Sequence, residues 1–498
     1  MRSHRRLRLL APFLLAPLTA GCFSTGGGSD SASGDGDGSR LRVALAFPPA
    51  ENLSPYGADA TLLSRLGVTE GLTSLDANGS AAPALAASWQ RKNDTTWTFT
   101  LREAAFQDGS EVTPDAVAGS LAHAVAAEPA PAALSGVSLT AKADGDHAVT
   151  VTTDEPDPVL PLRLSSPSLA ILSAKAYKGG KADPVGTATG PFEITEVNGT
   201  TSAALDRFDD YWGGRAQASG VDARFIADGT ARANALRTGE LDIAEAVPVS
   251  QAASLDQATR RDTATTRTTS LLLNASTGPL KDAGLRATAR AAIDTSVFAK
   301  DVYEGYGDAG AGIYGPAVTW AEGKREKPVG RAGAEQATGQ TLTLATYDNR
   351  PELPEVAQVV KEQLEKAGFT VKLTVREYSR LESDALDGTF DAFVLARNTL
   401  LDTGDPVSIL ASDYTCDGDF NIAQLCDRDV DRAVAAAGQV TDTDERRDAA
   451  MAAEARVLGS DAVVPLVHQR IITGVADGVR GVVLDPYERT LVGTGTRR

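Results

Sequence analysis

The stretch PALAASWQRKNDTTWTFTLREAAFQDGSEVTPDAVAGSL, at Pro83–Leu121, says more about the fold than any other part of the chain. Within it, Trp97–Leu101 alternates large apolar and hydroxyl side chains with a period of two, which predicts a half-buried β-strand. Thr113–Asp115 then supplies a capping hydroxyl, a proline suited to a first helical position and an acid for the first turn. A helix is therefore predicted over Ala116–Ala126, and a strand followed by a helix indicates a mixed α/β protein.

The same succession of strands and helices is predicted on either side of this stretch. Leu41–Phe47 reads as the first strand, and Glu355–Ala367 carries apolar residues at helical spacing before Gly368. The strand Thr370–Val375 follows that helix. A chain of 498 residues is longer than one hydrophobic core usually supports, so two or more packed lobes are expected.

The charge of the chain excludes one class of partner. The formal net charge is −18, and removing an N-terminal segment with four arginines would lower it by four, to −22. Nucleic acid is therefore not expected as a partner, because its phosphates would be repelled. The acidity indicates a solvated surface and identifies no ligand.

The first 22 residues have the composition of an export signal. An arginine-rich start is followed by the mostly apolar Leu7–Leu18 and then by TAGC, which ends at Cys22. This pattern resembles a bacterial lipobox, which implies removal of residues 1–21 and acylation of Cys22. The alternative is an ordinary secretory signal with an incidental cysteine. Residues 22–40, rich in Gly, Ser and Asp, are predicted to be a flexible tether.

The chain has three cysteines, so a lipid on Cys22 leaves Cys416 and Cys426. An oxidising compartment favours a disulfide between them, and we predict that pairing. Two free thiols or a metal site are the alternatives. A metal site has little support, because no histidine or further cysteine lies nearby in the sequence.

Six segments, in order along the chain, resemble the family 5 extracellular solute-binding proteins. Members of that family include the dipeptide-, oligopeptide- and nickel-binding components of ABC importers. The segments that carry the resemblance are Pro83–Leu121, Gly186–Phe192 (GTATGPF), Arg207–Gly214 (RFDDYWGG), Ala235–Pro248 (ALRTGELDIAEAVP), Leu271–Asp294 and Gly388–Leu395 (GTFDAFVL).

The resemblance implies an α/β fold of the periplasmic-binding-protein-like type II, of the cluster C kind. Two hinged lobes with mixed sheets would close over a ligand, and lobe one would carry an inserted subdomain. The chain would cross to lobe two near Thr268–Asn274 and return near Arg470–Gly474. The implied boundaries are 41–268 plus 471–498 for lobe one, about 55–185 for its inserted subdomain, and 269–470 for lobe two.

The strongest candidate ligand residue is Asp402, in LLDTGDPVSIL at Leu400–Leu410. This segment resembles the Asp-x-x-Asp-Pro segment of the family, whose first aspartate accepts hydrogen bonds from the α-ammonium of a bound peptide. Members that take nickel complexes generally lack an acid there, so the resemblance favours a peptide. The alternative role is that of a loop aspartate capping the next turn, which suits Asp405 better.

Three further residues are weaker candidates. Arg397 could bind a ligand carboxylate bidentately through its guanidinium, although an ordinary arginine at a strand end is an equal alternative. Tyr56 and Asn274 belong to segments that the resemblance brings towards the cleft, from lobe one and from the hinge.

Sequence motifs for catalysis are missing. The chain contains no Gly-x-Ser-x-Gly elbow, His-Glu-x-x-His zinc motif or Walker-type phosphate loop. We therefore expect no enzyme, no cofactor and no metal ion.

The expected function is that of a monomeric extracytoplasmic lipoprotein. It would be held on the outer face of the cell membrane through Cys22, bind short peptides and deliver them to the permease subunits of an ABC importer. The alternatives are another solute, such as a nickel chelate or an oligosaccharide, or a secreted hydrolase or sensor on the same fold.

Overall fold

The structure is a computed structural model that describes residues 38–498. The predicted signal peptide, Cys22 and most of the predicted tether lie outside these residues. Arg40, which the sequence assigned to the tether, is the first residue of a strand, and its guanidinium pairs with Asp222 at 2.9 Å.

The described residues form seventeen strands. Their bounds are β1 Arg40–Leu45, β2 Thr73–Leu75, β3 Ala81–Pro83, β4 Ala86–Arg91, β5 Thr96–Leu101, β6 Leu139–Ala143, β7 Ala148–Thr153, β8 Phe192–Asn198, β9 Ser202–Arg207, β10 Gly220–Phe225, β11 Ile243–Ala244, β12 Arg260–Leu273, β13 Gly307–Ala309, β14 Thr341–Tyr347, β15 Thr370–Arg376, β16 Ala392–Asn398 and β17 Val463–Val475.

The α-helices of the same residues range from single turns to five turns. Their bounds are α1 Asp59–Arg65, α2 Pro114–Val125, α3 Leu160–Arg163, α4 Gly229–Arg237, α5 Val249–Ala252, α6 Ala283–Ala292, α7 Thr295–Val297, α8 Leu353–Lys366, α9 Glu382–Leu386, α10 Pro406–Tyr414, α11 Arg428–Gln439 and α12 Thr443–Gly459.

The strand and the helix predicted from the segment Pro83–Leu121 are present in the structure. β5 begins one residue before the predicted strand, and α2 begins at Pro114 with Thr113 as its N-cap. The Thr113 hydroxyl accepts a hydrogen bond from the backbone N–H of Ala116 at 3.2 Å, which satisfies one of the free donors at the helix start. α8 ends before Gly368, whose φ of +105° favours glycine.

One mixed sheet runs through most of the molecule, in the strand order β15-β14-β16-β12-β17-β11-β1-β10-β9-β8. β12 and β17 are its longest strands, and they pair with each other antiparallel. Nine consecutive residues of β12, 265–273, are buried, as expected of a strand covered on both faces. A separate four-stranded sheet has the order β4-β5-β7-β6.

The pairing of β12 with β17 shifts register at two places, and the larger of these interruptions is near the middle. Ala264 faces Arg470 and Thr268 faces His468, so three residues of β12 bulge opposite the single residue Gln469. The Thr265 hydroxyl donates to the Gln469 carbonyl across this bulge at 3.1 Å. The interruption lies beside the predicted crossings between the lobes, where a hinge must absorb backbone rotation.

Three hydrophobic clusters make up the core of the described residues. The first combines residues from both ends of the described chain with an internal segment. Its members lie between residues 41 and 68, 172 and 243, and 475 and 492. The second lies within residues 72–171 and includes the four-stranded sheet. The third holds most of the buried hydrophobic side chains of residues 271–472, together with side chains of α4 and α5.

Candidate functional site

A cavity of about 1230 Å³ lies between two parts of the chain. One wall comes from residues 130–163, which lie mostly in loops beside the four-stranded sheet. The other wall comes from residues 382–446. Asp402 and Arg397 line this cavity, whereas Tyr56 and Asn274 are not among its lining residues.

Asp402 lies in the loop between β16 and α10, and its side chain is 35% exposed. Its carboxylate pairs with the Arg397 guanidinium at 3.5 Å, and within the described residues no hydrogen bond is seen to that carboxylate. Gly404, with a φ of +74°, turns the loop two residues later. A Cβ there would lie 2.8 Å from the Leu75 side chain, so the turn needs a glycine.

The better partner of Arg397 is Asp413 of α10. Arg397 Nε donates to Asp413 Oδ2 at 3.1 Å, and the guanidinium also lies 4.4 Å from the centre of the Phe420 ring. Burial would lower the pKa of Arg397, but Asp413 and Asp402 outweigh it and raise that pKa. Arg397 therefore stays charged, and its charge is already matched within the protein.

Asp405 has the capping role that the sequence offered for it. Its carboxylate accepts from the backbone N–H of Ser408 at 3.0 Å in the first turn of α10. It also pairs with Arg446 of α12 at 2.7 Å, and Asp405 is 1% exposed. Burial would raise the pKa of Asp405, but the Arg446 guanidinium lowers it below its usual value.

The opposite wall holds a similar buried ion pair. Arg163 Nε lies 2.7 Å from Asp157 Oδ2, and both side chains are more than 90% buried. Sequence reasoning missed Arg163, Arg446 and Asp413, because their partners are set by packing rather than by a motif.

A disulfide closes part of the second wall. Cys416 and Cys426 are joined with an S–S distance of 2.09 Å, which agrees with the predicted pairing. The closed loop carries Asp417, Asp419 and Phe420, all of which line the cavity. Ser135 of the first wall donates to the Asp419 carboxylate, so the two walls meet at this point.

Asn274 and Tyr56 have other surroundings. Asn274 is 2% exposed, and its amide donates to the carbonyls of Gly388 and Phe390. Its side-chain oxygen accepts from the backbone N–H groups of Ser276 and Thr277. Asn274 therefore holds a loop together.

Tyr56 packs against the hydrophobic cluster within residues 72–171. We propose no contact with a ligand for either residue.

A second cavity, of about 530 Å³, lies between residues 64–77 and 483–494. Glu70 lines it and accepts hydrogen bonds from the Tyr211 hydroxyl at 2.7 Å and from the Trp212 indole N–H at 3.0 Å. Burial raises the pKa of Glu70 to about 7, against the lowering effect of these two donors.

The family model "Bacterial extracellular solute-binding proteins, family 5 Middle" matches residues 80–421. The chain belongs to this family. It is 25% identical over 415 residues to the nickel-binding protein NikA of Staphylococcus aureus, covering 80% of this chain and 82% of the relative. It is also 25% identical over 462 residues to the glutathione-binding protein GsiB of Salmonella paratyphi A, covering 87% and 90%.

A solved structure supports the fold. Haemophilus influenzae OppA, in complex with the peptide RPPGFSPFR, superposes with a TM-score of 0.75 at 19% identity, over 93% of this chain and 99% of that one. The solute-binding protein therefore has the type II periplasmic-binding fold, which confirms the fold predicted from the six segments. The lobe boundaries remain a prediction.

Two further observations concern only the part of the chain that the structure describes. None of the helices between residues 38 and 498 is both long enough and apolar enough to cross a membrane. No group of three or more histidine, cysteine, aspartate or glutamate residues in this range is arranged to hold a metal ion.

Proposed function

We propose that this solute-binding protein is the extracytoplasmic receptor of an ABC importer, and that it binds a short peptide in the larger cavity. The observation that carries the proposal is the position of Asp402. Its carboxylate lies in the cavity wall with only a 3.5 Å ion pair to Arg397, so it keeps lone pairs for the α-ammonium of a peptide. A charge-assisted bond of this kind contributes about 1.5–3 kcal/mol.

The proposed role of Arg397 differs from the first expectation. A ligand carboxylate would have to compete with Asp413, which already accepts a hydrogen bond from Arg397 Nε at 3.1 Å. We therefore assign Arg397 to positioning: it is fixed between Asp413 and the Phe420 ring, and from there it orients Asp402 towards the cavity. A peptide main chain could add further hydrogen bonds with little demand on its side chains.

Closure would trap the peptide between the lobes. Several contacts already join segments that are far apart in the sequence. Arg489 Nη1 donates to the Ser165 hydroxyl at 2.9 Å while its Nε donates to the Leu401 carbonyl at 2.9 Å, and the Arg350 guanidinium lies 5.5 Å from the Phe47 ring centre. A ligand that contacts both walls would shift the population towards this arrangement. The closed protein, anchored through Cys22, would then dock on its permease.

Titration calorimetry with Ala-Ala-Ala and its N-acetylated form tests the proposal. Asp402→Asn should weaken binding of the free peptide roughly 10- to 150-fold, because one charge-assisted bond is lost. The acetylated peptide, which lacks the ammonium, should bind weakly and equally to both proteins. Asp387→Asn is the matched control, since Asp387 is an exposed aspartate of the same part of the chain and does not line the cavity.

Equal affinity of the wild type and Asp402→Asn for the free peptide would remove Asp402 from the site. Binding of a nickel–histidine complex in place of any peptide would favour the activity named for the staphylococcal relative. Steady release of amino acids from the peptide would instead identify a hydrolase.

A further inference from the structure

The charged residues that line the larger cavity are out of balance. Eight carboxylates and three guanidiniums line it, a formal excess of five negative charges. The whole chain has 66 acidic and 48 basic residues, so the lining is more acidic than the protein around it. The lining carboxylates are Asp154, Glu155, Asp157, Glu382, Asp402, Asp405, Asp417 and Asp419.

Each of the three guanidiniums is already matched by a buried carboxylate. Arg163 pairs with Asp157, which is 5% exposed, and Arg446 pairs with Asp405 at 1% exposure. The third, Arg397, pairs with Asp413, which is 4% exposed and lies behind the lining. An anionic ligand would therefore have to displace a buried partner, which is costly when it leaves that carboxylate unpaired.

The remaining carboxylates come from both walls. Asp154 and Glu155 are exposed on the first wall, in the turn that follows β7, and no ion pair to either is seen within residues 38–498. Asp417 and Asp419 are exposed on the second wall, in the loop closed by the disulfide. Carboxylates on facing walls repel one another, and a cation placed between them would relieve that repulsion.

We propose that the cavity selects peptides with basic side chains. The α-ammonium would bind Asp402, and a lysine or arginine side chain would lie near Asp154, Glu155, Asp417 and Asp419. This inference rests on the proposed function and adds the charge of the preferred ligand. A cavity with negatively charged walls also raises the local concentration of cationic ligands before they bind.

Three tripeptides of similar size test the inference by calorimetry: Ala-Lys-Ala, Ala-Met-Ala and Ala-Glu-Ala. Ala-Lys-Ala should bind about tenfold more tightly than Ala-Met-Ala at an ionic strength of about 0.02 M, and Ala-Glu-Ala should bind most weakly. The gap should narrow at about 0.5 M salt, because the exposed carboxylates are then screened. Spermidine serves as a fourth ligand, a cation without a peptide backbone.

Two double variants test which carboxylates cause the preference for a basic side chain. In Asp154→Asn/Glu155→Gln the preference for lysine over methionine should fall to about threefold, since half of the exposed carboxylates are gone. Asp144→Asn/Asp146→Asn removes two exposed carboxylates from the turn between β6 and β7, outside the lining, and should leave the preference unchanged.

Equal affinity for all three peptides, still sensitive to Asp402→Asn, would overturn the charge inference and leave the peptide receptor in place. If no peptide of any charge binds, or if spermidine binds and the peptides do not, both the inference and the proposed function are wrong.

Discussion

Two charged regions of this protein use the same residue types in opposite ways. The larger cavity has more carboxylates than cations. At the junction of α1, β12 and the C-terminal segment, the single carboxylate of Glu488 pairs with two arginines, Arg65 at 3.1 Å and Arg267 at 3.0 Å. Asn398 adds a hydrogen bond to Glu488 at 3.2 Å.

The difference shows that the role of a carboxylate depends on whether oppositely charged side chains already pair with it. Glu488 is 5% exposed, and burial alone would raise its pKa, yet Arg267 and Arg65 lower that pKa to about 2. Its charge joins segments that are far apart in the sequence and is fully matched. The exposed carboxylates of the cavity lack such partners, so their negative charge remains available to a ligand.

Removing Glu488 should have the largest effect on stability. In Glu488→Ala the buried guanidinium of Arg267 loses its carboxylate partner, whereas Arg65 keeps Glu245, and the change should cost about 3–5 kcal/mol of unfolding free energy. Urea denaturation followed by circular dichroism measures this loss. A loss below about 1 kcal/mol would mean that water or another carboxylate replaces Glu488.

Lowering the pH should weaken the same ion pairs, with a smaller effect on the unfolding free energy than Glu488→Ala has. The pKa of Glu488 is about 2 in the folded protein, against 4.5 ordinarily, so its charge stabilises the fold above pH 4.5. That contribution, about 3 kcal/mol at most, is lost as the pH falls from 4.5 towards 2. The difference in unfolding free energy between the wild type and Glu488→Gln should therefore shrink over this range. A constant difference from pH 7 to pH 3 would show that the pKa of Glu488 is not lowered.

The sequence predicts the fold better than it predicts this contrast. The alternation in Trp97–Leu101 and the capping hydroxyl of Thr113 are local signals, and the structure contains both elements. The six family segments specify the type II fold. Asp402 could also be placed in the cavity wall from a short motif.

The partners of the charged residues could not be predicted. Arg446 meets Asp405 across 41 positions, and Arg267 meets Glu488 across 221. Such pairs follow from packing between distant segments, and no local pattern marks them. For the same reason the sequence could not show that the Asn274 side chain forms its hydrogen bonds within a loop, or that Arg397 is already paired with Asp413.

The smallest effect on stability is expected in the cavity itself. Asp154→Asn/Glu155→Gln removes two exposed carboxylates from a region with excess negative charge, so the unfolding free energy should change by less than about 0.5 kcal/mol and should rise if it changes. Urea denaturation at about 0.02 M and 0.5 M salt measures it, and screening should remove the gain at the higher concentration. A marked loss of stability would mean that these two carboxylates have structural partners. These carboxylates would then be matched within the protein, as Glu488 is, and the contrast between the two regions would disappear.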